Sequence, residues 1–203
     1  MTEAAVAEGA RERILAAAVE RIASDGIDDV RIARIAMDAG VSTSLVHYHF
    51  ETREALLEQA LEYSFELAGD VRIGDEDAAP NHTRRLATMV DQCLPYPGEL
   101  ERDWILWVEL WLRAVRHAEL RPTAARLYAR MRRWFAEAIA AGAEAGEFDK
   151  GADPERTADR VLALCDGFGV RALLGEVPIE RAREEVWAVI SEQLGVDPAP
   201  PPV

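Results

Sequence analysis

Apolar residues recur at helical spacing along almost the whole of this 203-residue chain. No segment shows the sustained alternation of apolar and polar residues that marks a half-exposed strand. Residues 10–24 give the pattern clearly, with one apolar stripe formed by Ile14, Leu15, Ala18, Val19 and Ile22. Glycine follows several of these segments, and proline or an acid precedes several others, as is usual at helix ends. The sequence therefore predicts an all-α protein of about nine helices.

The predicted helices fall into two groups. Four are expected in the first group: residues 10–24, a helix capped by Asp28 or Asp29, a short helix capped by Ser42, and residues 53–69 capped by Thr52. A polar, acidic stretch then covers residues 70–82. Five further helices are predicted at residues 83–94, 100–118, 122–145, 154–174 and 178–194. We expect one domain at residues 10–70 and a larger one at residues 81–195.

The chain is acidic, with 37 Asp and Glu residues against 23 Lys and Arg residues and a formal net charge of −14. A protein that binds nucleic acid is usually basic. The acidity is uneven, because residues 1–53 hold nine acids and six arginines, whereas residues 54–70 hold five acids and no base. Charge distribution is therefore more informative than the total.

Cysteine content and hydropathy indicate the compartment. The two cysteines, Cys93 and Cys165, are far apart in sequence and form no CxxC motif, so neither a disulfide framework nor a zinc site is indicated. No apolar run approaches the roughly 20 residues of a membrane span. We expect a cytoplasmic protein with reduced cysteines and no membrane association.

The segment AGVSTSLVHYHF, residues 39–50, contains no acidic residue although the chain is acidic overall. Its short helix begins with three small hydroxyl residues, Ser42, Thr43 and Ser44. A helix that enters the major groove of DNA lies between two rows of phosphates, where carboxylates are repelled. Small hydroxyls can approach base edges closely, and the amides at the helix N-terminus attract phosphate. The segment has the composition of a recognition helix.

A helix, a short turn with glycine and a second short helix form a helix-turn-helix. The stretch RILAAAVERIASDGIDDVRIARIAMDAGVSTSLVHYHFETREALLEQAL resembles the N-terminal DNA-binding domain of TetR-family transcriptional regulators. The matching elements are IA..AGVS, L.YHF (here LVHYHF) and ETREALL, in fixed order over about fifty residues. In the second domain, WILWVELWLRAVRHAELR and LALCDGFGVRALLG look like the BetI-type subgroup.

The resemblance implies a homodimer whose all-helical second domain has a ligand cavity. It implies a repressor of transcription, with no enzymatic activity, no cofactor and no metal, that binds a palindromic operator in double-stranded DNA. A small-molecule effector would release the repressor from that operator.

Site residues are carried over by position in the motif. Ser42, Thr43 and Ser44 fall where the family's recognition helix begins, and His47, Tyr48 and His49 fall where base and phosphate contacts cluster. Arg53 stands at a customary phosphate-contacting position. The chain departs from the family pattern at Arg31, which replaces a capping Thr or Ser, at Thr43–Ser44, which replaces Lys–Gly, and at His47, which replaces an aromatic residue. Arg31 retains the ability to contact phosphate.

The second domain contains a helix with apolar residues on nearly every side, around residues 104–112, and such a helix is expected to be buried. Glu109 is the charge within that run, and it either reaches solvent or an arginine, or faces an aromatic cavity suited to a cationic ligand. The candidate ligand-binding residues are Cys93, Trp104, Trp107, Glu109, Trp111, Cys165, Asp166 and Phe168.

Gly167 and Gly169 lie within a predicted helix, where each glycine costs about 1 kcal/mol relative to alanine. They either allow close approach in an intersubunit four-helix bundle with residues 178–194, or serve packing within one subunit, or leave room for a ligand. As alternatives for the whole protein, a helical small-molecule binding protein or enzyme could use the helix-turn-helix only as scaffold, and an activator could share this architecture.

Overall fold

A computed structural model of the chain describes the backbone of residues 3–73 and 81–199, and the side chains of residues 9–65 and 81–199. These residues form nine α-helices, one short 3-10 helix and no strand, which confirms the all-α class. The chain divides into two compact units, residues 1–70 with 105–124 and residues 71–104 with 125–203. The first unit thus includes residues 105–124, although the helix pattern of the sequence predicts them in the second domain.

The first unit opens with the helices α1 (Glu3–Asp25), α2 (Ile32–Asp38), α3 (Thr43–His49) and α4 (Arg53–Ile73). α1 packs against both α2 and α3. The apolar stripes predicted from the sequence form the core of this unit, including Ile14, Leu15, Ala18, Ile22, Ile35, Ala36, Val46, Phe50, Leu56, Leu57, Ala60 and Leu61. Residues 74–80 of the polar stretch after α4 lie outside the described residues.

Several predicted helix boundaries in this unit are confirmed, but α1 begins at Glu3 rather than at residue 10, and α4 extends to Ile73 rather than to residue 69. Gly26 follows α1 with φ +77°, and Gly40 turns the chain between α2 and α3 with φ +65°. Both angles lie in the left-handed region that favours glycine. The hydroxyl of Ser42 accepts a hydrogen bond from the amide of Leu45, and the hydroxyl of Thr52 accepts one from the amide of Ala55. These two side chains cap α3 and α4 as expected.

The predicted cap of α2 is wrong. The helix begins at Ile32, so its N-cap position is Arg31, whose side chain makes no capping hydrogen bond. Asp28 and Asp29 precede the N-cap position by three and two residues, so neither occupies it. Val30, which follows Asp29, is buried, so the chain is still packed as a loop before Arg31.

The second unit contains α5 (His82–Gln92), α8 (Pro154–Leu173) and α9 (Ile179–Leu194). The unit boundary falls within two further helices, α6 (Glu99–Arg116) and α7 (Arg121–Ala145), which are joined by a 3-10 turn at Ala118–Leu120. α8 packs along α9, and α5 also contacts α9. All five predicted helices are confirmed to within two residues. No helix in the described residues is long and apolar enough to cross a bilayer.

The core of the second unit is apolar, with one ion pair at its edge. Its largest members include Leu86, Val90, Phe135, Ile139, Val161, Trp187 and Ile190. Arg183 and Asp91 form a two-pronged ion pair, in which Nη2 donates to Oδ2 at 3.1 Å. The nearby Tyr96 has its pKa raised to about 12, mainly by burial and also by the Asp91 carboxylate. The pair joins α5 to α9.

The two glycines of α8 have different surroundings. A Cβ at Gly169 would collide with the indole ring of Trp104, which fills the space that the missing side chain leaves. A Cβ at Gly167 would meet no heavy atom within 4 Å, and Gly167 is exposed. Gly169 therefore serves packing within one subunit, and only Gly167 remains available for a contact between subunits.

The expectation that α6 is buried on all sides is also wrong. Trp104, Leu106, Trp107 and Leu110 are buried, but Ile105, Val108, Leu112 and Val115 are exposed. Residues three, four and seven apart on a helix share a face, so the apolar residues of α6 form two faces rather than one continuous sheath. One of these faces is buried and the other is exposed to solvent.

Candidate nucleic-acid interface

The turn between α2 and α3 is fixed by backbone hydrogen bonds. The amide of Gly40 donates to the carbonyl of Met37 at 3.1 Å, and the amide of Val41 donates to the carbonyl of Ala36 at 2.9 Å. The positive φ of Gly40 allows the chain to reverse over this short distance. α3 consequently starts at a defined angle to α2, which is the helix-turn-helix arrangement.

One buried residue determines which face of α3 points outward. Val46 is fully buried, as is Phe50 just after the helix. Ser42, Thr43, Ser44, His47 and Tyr48 are exposed, and the Tyr48 side chain is 78% accessible. The exposed face of α3 is therefore made of hydroxyl groups, an imidazole and a phenol, without a carboxylate.

His49 is the predicted contact that the structure exposes least. Its side chain is half-buried, and its Nε2 atom is covered without a hydrogen-bond partner among the described residues. The ring packs edge-on against Tyr48, with centroids 5.2 Å apart. His47 is exposed, so the two histidines point in different directions, as expected for residues two apart on a helix. The described residues contain no group of side chains that could hold a metal ion.

Arg53 has a structural role that the sequence did not reveal. Its Nε donates to the carbonyl of Val30 at 2.9 Å, and its Nη2 donates to the carbonyls of Ile27 and Asp28 at 2.6 and 3.0 Å. The guanidinium at the start of α4 thus binds three backbone carbonyls of the loop that leads into α2. Only Nη1, which lies 3.6 Å from a carboxylate oxygen of Glu54, remains for a further contact.

A second arginine, Arg113, contacts the loop before α2. Nη2 of Arg113, near the end of α6, lies 3.3 Å from Oδ1 of Asp28. On the α4 side, burial raises the pKa of Glu58, and the nearby carboxylate of Glu119 adds to the shift whereas Arg113 opposes it. Arg113 therefore connects α6 electrostatically to the loop before α2 and to α4. No sequence motif indicated this role.

Ion pairs also connect α1 to α2. Arg21 on α1 lies 2.5 Å from Asp38, the last residue of α2, and 3.4 Å from Asp25. The hydrogen bond to Asp38 raises the pKa of Arg21. Arg31 is exposed at the start of α2, and its side chain makes no capping bond. Arg21, Asp25 and Asp38 are thus paired, while Arg31 projects into solvent.

The eight candidate ligand-binding residues do not form one cluster within a unit. Trp107, Glu109 and Trp111 belong to the first unit, whereas Cys93, Trp104, Cys165, Asp166 and Phe168 belong to the second. In the first unit, Trp107 packs against Phe65 and Trp111, with centroid separations of 3.9 and 5.6 Å. Glu109 is half-buried.

In the second unit, the indole Nε1 of Trp104 donates to the carbonyl of Cys93 at 3.3 Å. Cys165 is 1% exposed, and burial raises the pKa of its thiol well above the usual value. The side chains of Trp104 and Cys165 are both buried in the interior of the unit.

A half-buried acid and a half-buried phenol form a hydrogen-bonded pair near these residues. The hydroxyl of Tyr128 on α7 donates a 2.7 Å hydrogen bond to Oδ2 of Asp166 on α8. Burial raises the pKa of Asp166 to about 6, although the hydrogen bond acts in the opposite direction. Burial and the carboxylate also raise the pKa of Tyr128. Sequence reasoning included Asp166 but missed Tyr128, because contact across α7 and α8 leaves no local motif.

Two family models match this chain. Residues 14–60 match the model of bacterial regulatory proteins of the tetR family. Residues 82–195 match the model of the BetI-type transcriptional repressor C-terminal domain, and this match covers more than half of the chain. The chain belongs to the TetR family of transcriptional regulators. Its second domain is of the BetI type, and the protein is a DNA-binding regulator rather than an enzyme.

Individual relatives have the same assignment. The regulator is 27% identical over 182 residues to the transcriptional regulator BetI of Proteus mirabilis, covering 85% of this chain and 84% of that one. It is 22% identical over 197 residues to BetI 1 of Chromohalobacter salexigens, covering 91% and 90% of the two chains.

Solved structures match over nearly the whole chain. A crystal structure from a Rhodococcus species, described as a TetR-family regulator, is 31% identical with a TM-score of 0.78 and covers 92% of this chain and 99% of its own. A protein from Saccharomonospora viridis, solved in complex with choline, is 30% identical with a TM-score of 0.80 and covers 91% and 97% of the two chains.

Proposed function

We propose that this regulator is a cytoplasmic, dimeric repressor that binds a palindromic operator and leaves it when a small molecule binds. The observation that carries the proposal is the exposed face of α3, where Thr43, His47 and Tyr48 project from a helix that contains no carboxylate. In an acidic protein, a helix face free of acids at this position suits the approach to DNA. Arg31 and the N-terminal amides of α3 add attraction for phosphate.

Dimerisation follows from the small size of the recognition helix. α3 has seven residues, so one copy reads few base pairs, and two copies on a two-fold-related site are needed for useful affinity. The outer face of α8 offers a surface for this contact, because Ala163 and Gly167 are exposed along it and Leu174 is exposed just after it. Packing this face with α9 against a partner gives a four-helix bundle.

For the effector we propose a cation bound near Asp166. A half-buried carboxylate at neutral pH carries a negative charge that a cation neutralises, and Tyr128 orients its Oδ2 atom. Trp104 packs on the same helix at Gly169, three residues from Asp166, so aromatic surface is close by. The choline bound to the Saccharomonospora viridis protein supports an ammonium ligand.

Selection of bound fragments from random and genomic DNA tests the proposal. We expect enrichment of an inverted repeat whose half-sites are separated by about one helical turn or a multiple of it. Affinity for that repeat should fall steeply with salt while remaining well above that for scrambled DNA. If no sequence is enriched, the helix-turn-helix is a scaffold in a small-molecule binding protein. A reporter gene behind the selected site then separates repression from activation.

A further inference from the structure

α6 carries an apolar surface that faces solvent. Seven large hydrophobic side chains are exposed in the described part of the chain, and four of them lie on this one helix. Ile105 and Val108 are each 37% exposed, Leu112 is 46% exposed and Val115 is 72% exposed. We call these four residues the α6 surface. Single exposed apolar residues are ordinary, but a contiguous group marks a contact with another molecule.

The four residues form one continuous stripe. They are separated by three, four and three positions, so at 3.6 residues per turn they fall within about 80° of the helix circumference. Leu106, Leu110 and Ala114 are buried on the opposite side, where α6 is held within its unit. The α6 surface is therefore not required to anchor the helix, and its apolar character needs a different explanation.

The charges at the two ends of the stripe are complementary. Glu101 lies one turn before Ile105 on the same side, and Arg116 lies one turn after Leu112; both are exposed. Two such helices packed antiparallel about a two-fold axis bring Glu101 of each copy next to Arg116 of the other. The same arrangement pairs Ile105 with Leu112 and places Val108 close to the axis. A parallel arrangement would instead bring like charges together.

We propose that the α6 surface binds the α6 surface of a second copy of this chain, in an antiparallel and two-fold symmetric contact. A two-fold contact requires a surface complementary to itself, and the sequence of charges and apolar residues on α6 has this property. The contact removes the four apolar side chains from water, which favours association. It uses other residues than the contact through α8 and α9 proposed above, and its test does not depend on that contact.

Cysteine cross-linking tests the contact and its geometry. We expect Val108→Cys to form a covalent dimer rapidly under mild oxidation, because the two cysteines face each other near the axis. Val115→Cys is the matched control: residue 115 is more exposed, so random collision would favour it, yet the contact places it opposite the other end of the partner helix. The wild type measures the background from Cys93 and Cys165. Equal cross-linking of the Val108→Cys and Val115→Cys proteins would overturn the proposal.

Mixing two cysteine variants shows whether the two α6 helices pack parallel or antiparallel. Ile105→Cys and Leu112→Cys should each cross-link poorly alone, whereas their mixture should give a mixed dimer at a rate at least about fivefold higher. A parallel contact predicts the reverse, with each variant linking to itself. A partner of another kind, such as a different protein or a lipid surface, predicts no preference between the variants.

Charge reversal gives an independent check in the Val108→Cys protein. Glu101→Arg alone should lower the cross-linking rate, because it puts two arginines together at both ends of the contact. Adding Arg116→Glu should restore the rate by exchanging the partners. Restoration cannot be explained by misfolding, since the double variant carries more changes than the single one. Failure of the double variant to recover would reject the antiparallel contact.

Discussion

The hydroxyl of Tyr128 donates a 2.7 Å hydrogen bond to the carboxylate of Asp166, and this contact connects α7 to α8 inside the second unit. Asp166 is a half-buried acid whose pKa is raised to about 6. The pair places a negative charge that depends on pH beside apolar surface. Its two consequences, for ligand binding and for stability, can be separated experimentally.

Choline binding, measured by calorimetry, should weaken about tenfold between pH 7.5 and pH 5, because most of the Asp166 carboxyl groups are protonated at the lower value. Asp166→Asn should bind weakly at both pH values. Asp159→Asn is the control: Asp159 lies on the same helix, but it is exposed and pairs with Arg132. Equal choline affinity in the two variants would move the ligand away from Asp166.

The stability effect has the opposite sign. Folding raises the pKa of Asp166 from its usual 3.8, so the folded state binds this proton more tightly than the unfolded state does. The contribution of Asp166 to the free energy of unfolding without ligand should therefore fall as pH rises from about 4 to about 6. Urea unfolding of wild type and Asp166→Asn across this range should show a flatter dependence in the variant.

Arg53→Ala should destabilise the first unit by about 2 kcal/mol, because it leaves three backbone carbonyls of the loop before α2 without their charged donor. DNA binding should fall for every sequence alike, as the orientation of α2 and α3 is lost. Arg53→Lys should recover little, since a lysine cannot reproduce the two-sided geometry of the guanidinium. Arg34→Ala, which removes an exposed arginine with a weak ion pair, is the control for thermal unfolding.

Tyr48→Phe and Thr43→Ala should affect DNA binding in different ways. Loss of the exposed phenolic hydroxyl removes a phosphate contact, so affinity should fall about fivefold on all sequences. Thr43→Ala should change the preferred base at one position of each half-site and leave non-specific affinity intact. Fluorescence anisotropy with a panel of single-base operator variants distinguishes the two. If both variants bind the panel as wild type does, α3 is not the recognition helix.

Gly167→Ala and Gly169→Ala form a matched pair within one helix. Alanine at 169 collides with the ring of Trp104, so we expect a loss of at least about 1 kcal/mol in the free energy of unfolding. Alanine at 167 meets open space and removes the helix-breaking tendency of glycine, with an expected gain of about 0.5–1 kcal/mol. Chemical denaturation measures both. A loss at position 167 as large as that at 169 would contradict this assignment.

The local sequence alone predicted most of the helices and the helix-turn-helix. Helical periodicity gave the all-α class, and Ser42, Thr52, Gly26 and Gly40 marked helix ends because capping depends on neighbours within a few residues. The motif around α3 also identified the family, since its residues follow one another along about fifty positions of the chain. These features depend on short-range geometry, which a sequence expresses directly.

The tertiary structure decided how residues far apart in sequence are used. Arg53 binds the loop at Ile27–Val30, Gly169 accommodates Trp104, and Tyr128 meets Asp166, although between 23 and 65 positions separate the members of each pair. The sequence also could not show that α6 keeps one apolar face in solvent, because periodicity reveals that a residue is apolar but not what covers it. Such contacts depend on how the helices pack, and packing is a property of the folded chain rather than of any one segment.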